Sequence, residues 1–266
     1  MRRNVALVVA LLTLFGFSNS SYQASAQLMR GKDPTLLTVF AASSLAEVFT
    51  VLGRKFESNH PESKVQFSFL ASSVLAQQIL AGAPVDLFAS ASKKDMALVA
   101  GDIPRIRFFA TNRVVLAVPK SNPFHIRKIR DLNNASIKWI QCALQVPCGE
   151  VAALALTAEG GILTKPISYE AKSASVVAKL LAGEVDAAFV YHTDVIAAKG
   201  ALLEIPFKNS PAATTKYPIG ALRKGVHRAA SEAFIAFILS PESAKYLKSA
   251  GFGSVAIRGS SEKAKG

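Results

Sequence analysis

The chain alternates strand-like apolar runs with amphipathic helical segments along most of its length. Residues 36–41 form an apolar run of strand length, and residues 45–57 place large apolar side chains on one helical face. Residues 64–69 alternate polar and apolar, and residues 73–81 follow helical spacing up to Gly82. Because parallel strands need a crossover that a helix usually supplies, this alternation predicts an α/β fold with mainly parallel sheets.

The same alternation continues towards the C-terminus. Further strands are predicted at 85–89, 113–118, 137–142, 167–169, 186–191, 201–207 and 217–222. Further helices are predicted at about 148–158, 174–182, 228–239 and 241–250. In folds of this class ligands bind beyond the carboxyl ends of strands, where helix N-termini point. The strand-to-helix turns are therefore where a binding site is expected.

The first 26 residues have the pattern of a secretory signal. Arg2 and Arg3 form a basic start, Val5 to Phe17 is a nearly unbroken apolar run, and Ala24-Ser25-Ala26 offers a small-x-small cleavage site. The run is short for a bilayer span, although an uncleaved anchor stays open. Gln27 stands where a lipoprotein has cysteine, so we expect an exported, periplasmic or extracytoplasmic protein without a lipid anchor.

The chain is strongly basic. Removing residues 1–26 takes away two arginines and no acidic residue, which lowers the net charge from +13 to +11. A basic surface fits nucleic acid in general, but export argues against that partner. Attraction to an anionic cell envelope and a plain solvated surface of lysine and arginine both remain open.

Two cysteines, Cys142 and Cys148, lie close together in the segment CALQVPC. In an exported chain an even count at short spacing indicates a disulfide. A metal site is the weaker interpretation, because no third or fourth ligand lies nearby and the closest histidine in sequence is His125. We predict a disulfide and no metal site.

Three strand-to-helix turns are rich in small or hydroxylated residues and contain no lysine or arginine. The first contains Ser43 and Ser44, the second contains Ser72 and Ser73, and the third spans 146–150. Helix N-termini attract anions through free N–H groups and the helix dipole. Such turns offer few acceptors, so a protonated phosphate would leave its own O–H unsatisfied at a cost of about 1–3 kcal/mol. A fully deprotonated oxyanion is favoured.

Ser44 has a second interpretation. Ser44 and Glu47 stand three residues apart, which is the spacing of a capping box at the start of a helix. On the residues alone, anion binding and helix capping both remain open for Ser44.

Three segments together resemble the molybdate-binding proteins of ABC transporters. They are VFAASSLAEVF at 39–49, FLASSVLAQQILAGAPVDLFASAS at 69–92, and GEVDAAFVYHTD at 183–194. The resemblance runs over nearly all of residues 36–255, with the segments in the family's order and spacing. CALQVPCG at 142–149 is similar to the disulfide-bearing version of actinobacterial members.

The resemblance implies a set of donors to the oxyanion, which the family holds without a catalytic residue or a cofactor. The family's two turn serines match Ser44 and Ser72, and its tyrosine matches Tyr191. Its main-chain N–H donors fall at Cys148 and near Ser173. The family commonly has valine at the last position, but a main-chain donor tolerates that change.

The resemblance also implies a two-lobed type II periplasmic-binding-protein fold, each lobe a mainly parallel sheet flanked by helices. We expect a monomer that captures molybdate or tungstate between its lobes for the permease of an ABC importer. Hinges are expected near Val118-Pro119 and Tyr217-Pro218. The expected organisation is a signal peptide at 1–26, a disordered lead at 27–34, lobe one at 35–117 with 219–256, lobe two at 118–218, and a disordered tail at 257–266.

Two rival functions are weighed against this one. Another solute, above all sulfate, would fit a similar site because sulfate shares the shape and charge of molybdate. A hydrolase could in principle use a serine with His125, His192 and Asp86, but the chain has no G-x-S-x-G motif. It also lacks a G-x-x-x-x-G-K-[ST] phosphate loop.

Overall fold

The computed structural model describes residues 34–208 and 211–255. The predicted signal peptide at 1–26, the lead except for Pro34, and the tail at 257–266 lie outside the described residues. Within those residues, no helix combines the length and apolar character needed to span a membrane.

The described part of the chain folds into nine strands and eight α-helices. The strands are β1 Thr35–Ala42, β2 Ser63–Leu70, β3 Leu87–Ala89, β4 Arg107–Pro119, β5 Trp139–Cys142, β6 Ser168–Glu170, β7 Ala187–Tyr191, β8 Leu202–Ile205 and β9 Thr214–Ala221. The helices are α1 Ala46–Asn59, α2 Ser72–Leu80, α3 Lys93–Leu98, α4 Pro147–Ala158, α5 Ser173–Leu181, α6 His192–Ala197, α7 Arg228–Ile238 and α8 Pro241–Ser249. The predicted α/β class is confirmed.

The strands form two groups of parallel strands, which are joined by the antiparallel strands β4 and β9. Their order is β2-β1-β3-β9-β4-β7-β5-β6, and β8 also pairs with β4. β1 pairs in parallel with β2 and β3, and β5 pairs in parallel with β6 and β7. β4 is antiparallel to β9 up to Arg113 and antiparallel to β7 from Val114 onwards. The long strand β4 therefore links the two groups.

Separate apolar cores lie on the two groups of strands. One core surrounds β4, β5 and β7 and contains the fully buried Trp139 and Phe189. The other surrounds β1, β3 and β9 and contains Phe49, Phe56 and Phe234. A smaller cluster packs beneath α2. Two cores on one continuous chain are the physical basis of a two-lobed protein, because each lobe buries its own apolar surface.

Two short helices and half of a strand were not predicted. α3 and α6 have six residues each, too few to establish a helical period in the sequence. α3 is instead started locally, because the Ser92 hydroxyl accepts from the N–H groups of Lys94 and Asp95. β4 begins at Arg107 rather than at 113, because pairing with β9 orders residues that lack a clear strand pattern.

Candidate functional site

All five residues predicted to bind an anion line one small cavity. Its lining consists of Ala42, Ser43, Ser44, Ala71, Ser72, Ala91, Val146, Pro147, Cys148, Lys172, Ser173 and Tyr191. The cavity is small, which suits a compact ion.

Ser72 contributes a hydroxyl whose oxygen is already committed as an acceptor. It is the first residue of α2 and is 1% exposed. Its Oγ accepts a hydrogen bond of 2.9 Å from the N–H of Ala91. The hydroxyl hydrogen is therefore left to donate, and the cavity lies beside it.

Ser44 does not cap a helix, so the capping-box interpretation is wrong. It lies in the single 3-10 turn Ser43–Leu45 between β1 and α1, and neither the turn nor α1 has a side-chain cap. The Ser44 Oγ lies 2.8 Å from the Tyr217 hydroxyl instead. A tertiary contact has replaced the local one, which leaves Ser44 at the cavity rather than at a helix end.

Tyr191 ends β7 and brings a buried hydroxyl to the cavity. The residue is 2% exposed, and within residues 34–208 and 211–255 its hydroxyl has no hydrogen bond of standard geometry, although the Tyr217 hydroxyl is near enough to influence it. Burial chiefly, with the neighbouring Tyr217 and Asp194, raises the pKa of Tyr191 well above its usual range. The group is thus a neutral O–H donor, and leaving such a donor unsatisfied costs about 1–3 kcal/mol.

Cys148 lies at the start of α4, where the first N–H groups of a helix lack intrahelical acceptors. The predicted disulfide is present, with Cys142 and Cys148 5.7 Å apart between Cα atoms. Gly149 is packed against this loop, since an added Cβ would lie 2.1 Å from the carbonyl oxygen of Ala143. The disulfide and this close approach together fix the turn that presents the Cys148 N–H.

Ser173 begins α5 and is 2% exposed. Its hydroxyl hydrogen-bonds to the Asp194 carboxyl group. Desolvation raises the pKa of Asp194 to about 7, although bonds from the Tyr191 N–H and the Ser173 hydroxyl oppose that rise. Because the Ser173 side chain is engaged there, its main chain is the part available to the cavity.

The structure adds residues that sequence reasoning missed. Lys172, an exposed residue directly before α5, also lines the cavity and brings a positive charge that the three turns lack. Asn112 and Tyr217 lie behind Ser44 in a buried hydrogen-bonded chain. No local signal could have revealed these two, since Tyr217 is 173 positions from Ser44.

Comparison with known proteins identifies the family. The pattern of the bacterial extracellular solute-binding proteins matches residues 37–253. The chain belongs to this family. This solute-binding protein is 32% identical to the molybdate-binding protein ModA of Mycobacterium tuberculosis strain H37Rv over an alignment of 253 residues. The alignment covers 93% of this chain and 94% of the relative.

Solved structures show the same fold. The periplasmic molybdate-binding protein of Azotobacter vinelandii matches with a TM-score of 0.68 and 19% identity, over 81% of this chain and 98% of that one. The sulfate-binding protein SubI of M. tuberculosis H37Rv matches with a TM-score of 0.70 and 19% identity, over 84% of this chain and 88% of that one. The solute-binding protein therefore has the two-lobed fold of periplasmic binding proteins, and this likeness alone does not identify a ligand.

Proposed function

We propose that this solute-binding protein captures a fully deprotonated tetrahedral oxyanion, molybdate or tungstate, and delivers it to the permease of an ABC importer. The observation that carries the proposal is the buried hydroxyl of Tyr191, a residue that lines the small cavity and has no hydroxyl hydrogen bond of standard geometry among the described residues. A folded protein rarely leaves such a donor unsatisfied, so a bound acceptor accounts for it.

The groups around the cavity are donors suited to an anion. The hydroxyls of Ser44, Ser72 and Tyr191 would each give one hydrogen bond. The N–H groups of Cys148 and Ser173 would add two more from helix N-termini, where the dipole favours negative charge. Hydrogen bonds to a charged group are worth about 1.5–3 kcal/mol each, so such a set binds a dianion tightly without a buried cation.

Similarity to known proteins supports molybdate over other anions. The M. tuberculosis relative named as a molybdate-binding protein is 32% identical over nearly the whole chain. The sulfate-binding neighbour has 19% identity and shares the fold. Sulfate is therefore the alternative to be tested, because it has the same charge and shape and differs mainly in size.

The proposed lobes place the donors on both sides of the ligand. Ser44 and Ser72 belong to the lobe formed by 35–117 and 219–256, and the other three donors belong to the lobe at 118–218. A ligand held by both lobes binds the closed state better and shifts the population towards it.

Contacts at the serines support binding rather than hydrolysis. The Ser44 hydroxyl contacts a tyrosine and the Ser72 hydroxyl contacts a main-chain N–H, and among the described residues neither hydrogen-bonds to a histidine or a carboxylate. A serine nucleophile requires a base within hydrogen-bond reach. We propose a monomeric binder outside the cytoplasm, without a catalytic or nucleic-acid-binding role.

A pair of neighbouring serines tests the proposed site. Ser72→Ala should weaken molybdate binding by about 2 kcal/mol, roughly 30-fold, because it removes one bond to a charged group. Ser73→Ala is the matched control, since Ser73 is next in the same helix and does not line the cavity. Isothermal titration of both variants with molybdate measures the difference, and equal affinities would place the anion elsewhere.

A further inference from the structure

One charged residue lines the proposed anion cavity. Among the described residues around the cavity, Lys172 alone carries a formal charge, and it is exposed to solvent. The other lining residues are alanine, serine, valine, proline, cysteine and tyrosine. A single cation at the edge of an otherwise neutral site acts on an approaching anion from a distance, before any hydrogen bond forms.

The lysine side chain does not serve the helix that it precedes. Lys172 occupies the N-cap position of α5 and makes no side-chain hydrogen bond there. N-caps favour serine, threonine, aspartate and asparagine, and the positive end of the helix dipole disfavours a nearby cation. The Lys172 carbonyl accepts from the N–H groups of Ser175 and Val176, which a residue of any type could do. The positive charge is therefore unexplained by the local fold.

The acidic residues nearest in sequence or at the cavity turn are committed to other lysines. Lys172 has no ion pair among the described residues. Glu170, two positions earlier, pairs with Lys179 instead. Glu150, two positions after Cys148 in α4, lies 3.6 Å from the Lys94 ammonium group. The charge of Lys172 therefore remains available to a mobile anion.

Asp194 is a further acid at this end of α5, and it offsets only part of the lysine charge. Its carboxyl group is bonded to the Ser173 hydroxyl and to the Tyr191 N–H. Desolvation raises the pKa of Asp194 to about 7. Near neutral pH the group is therefore only partly ionised, whereas the lysine keeps its full charge.

We infer that Lys172 is a capture residue, by which we mean that its ammonium group speeds the association of the oxyanion with the cavity. The inference rests on the proposed function and concerns the rate of capture, not the donors that hold the bound ion. Coulomb's law in water gives a dianion about 10 Å from one cation an attraction that raises its local concentration about fourfold. Charges at the rim of a site act mainly on the association rate and its salt dependence.

Three substitutions of Lys172 test the inference at two salt concentrations. At about 10 mM salt, where the screening length is about 30 Å, Lys172→Gln should lower the association rate constant of molybdate about threefold to fivefold. Lys172→Glu reverses the charge and should lower it by about tenfold or more, and Lys172→Arg should keep the wild-type rate. At about 1 M salt the screening length is about 3 Å, so all four proteins should agree within about 1.5-fold.

Lys138→Gln is the matched control for net charge. Lys138 is an exposed lysine directly before β5, and the cavity turn follows the opposite end of that strand. Its loss should change the association rate constant by less than about 1.5-fold. Urea unfolding should find Lys172→Gln as stable as the wild type or more stable, because the N-terminus of α5 no longer carries a cation.

Two measurements give the association rate constant without an optical signal. A chase of bound radiolabelled molybdate with excess unlabelled molybdate gives the dissociation rate constant, and equilibrium dialysis gives the Kd. Their ratio is the association rate constant. In Lys172→Gln the dissociation rate constant should change by less than about twofold, since a rim charge acts on the encounter.

The outcomes separate the capture role from the function on which it rests. Unchanged association rate constants in Lys172→Gln and Lys172→Glu at low salt, or an equal loss in Lys138→Gln, would overturn the capture role alone. A loss of affinity that comes only from faster dissociation would also overturn it, because Lys172 would then act on the bound state. A wild-type protein that binds no molybdate would overturn the proposed function, and the capture role with it.

Discussion

Replacing Tyr191 with phenylalanine is expected to weaken the hold of the protein on molybdate about 100-fold, close to 3 kcal/mol, while leaving its stability nearly unchanged. The fold gains little from the hydroxyl, which has no hydrogen bond of standard geometry to another described residue. Its removal therefore takes away chiefly a hydrogen bond to a charged oxygen in the bound state. A residue kept only for packing would not show this combination.

Urea unfolding and molybdate titration measure the two sides of this prediction. The free energy of unfolding of the ligand-free Tyr191→Phe protein should change by less than about 1 kcal/mol. Tyr169→Phe is the control, because that tyrosine lies on β6 with half its surface exposed and should change neither quantity. Loss of stability without loss of affinity would show that the Tyr191 hydroxyl serves the fold and not the ligand.

Removing the disulfide by a double Cys142→Ser, Cys148→Ser change is expected to lower both stability and affinity. Chain-entropy reasoning for so short a loop gives about 2 kcal/mol of stability. The disulfide also holds the start of α4, so molybdate binding should weaken by about tenfold as the ordering cost of the Cys148 N–H returns. The loss should be partial, because the N–H itself survives the substitution.

The disulfide prediction has a chemical check and a binding check. Free-thiol counting on the native oxidised protein should detect no reactive thiol. Titration of the reduced protein should then reproduce the affinity of the double variant. Full affinity after reduction would mean that packing at Gly149, rather than the disulfide, fixes the turn.

The sequence predicted the larger elements of the fold because they repeat a clear pattern. The apolar run that became β1 and the amphipathic segment that became α1 are long enough to show their periods. Two features lay beyond this reasoning. The six-residue helix α3 begins through a local Ser92 cap, and the first half of β4 is ordered by pairing with β9, which begins about 100 positions later.

The residues that line the cavity were predictable from the strand-to-helix turns and the family resemblance. Ser44, Ser72 and Cys148 follow strands whose carboxyl ends meet at one cavity, as expected for an α/β fold. The bonding partner of Ser44 was not predictable. Its spacing to Glu47 favoured capping, whereas the fold brings Tyr217 to it from far along the chain.

One calorimetric comparison tests the central claim most directly. The purified wild-type protein would be titrated with molybdate, tungstate, sulfate and phosphate at one pH and ionic strength. The account predicts sub-micromolar or tighter binding of molybdate and tungstate, with sulfate at least about 100-fold weaker, a difference of about 2.7 kcal/mol. Equal affinity for sulfate would contradict the assignment to molybdate and tungstate, and binding of none of the four would contradict the oxyanion site itself.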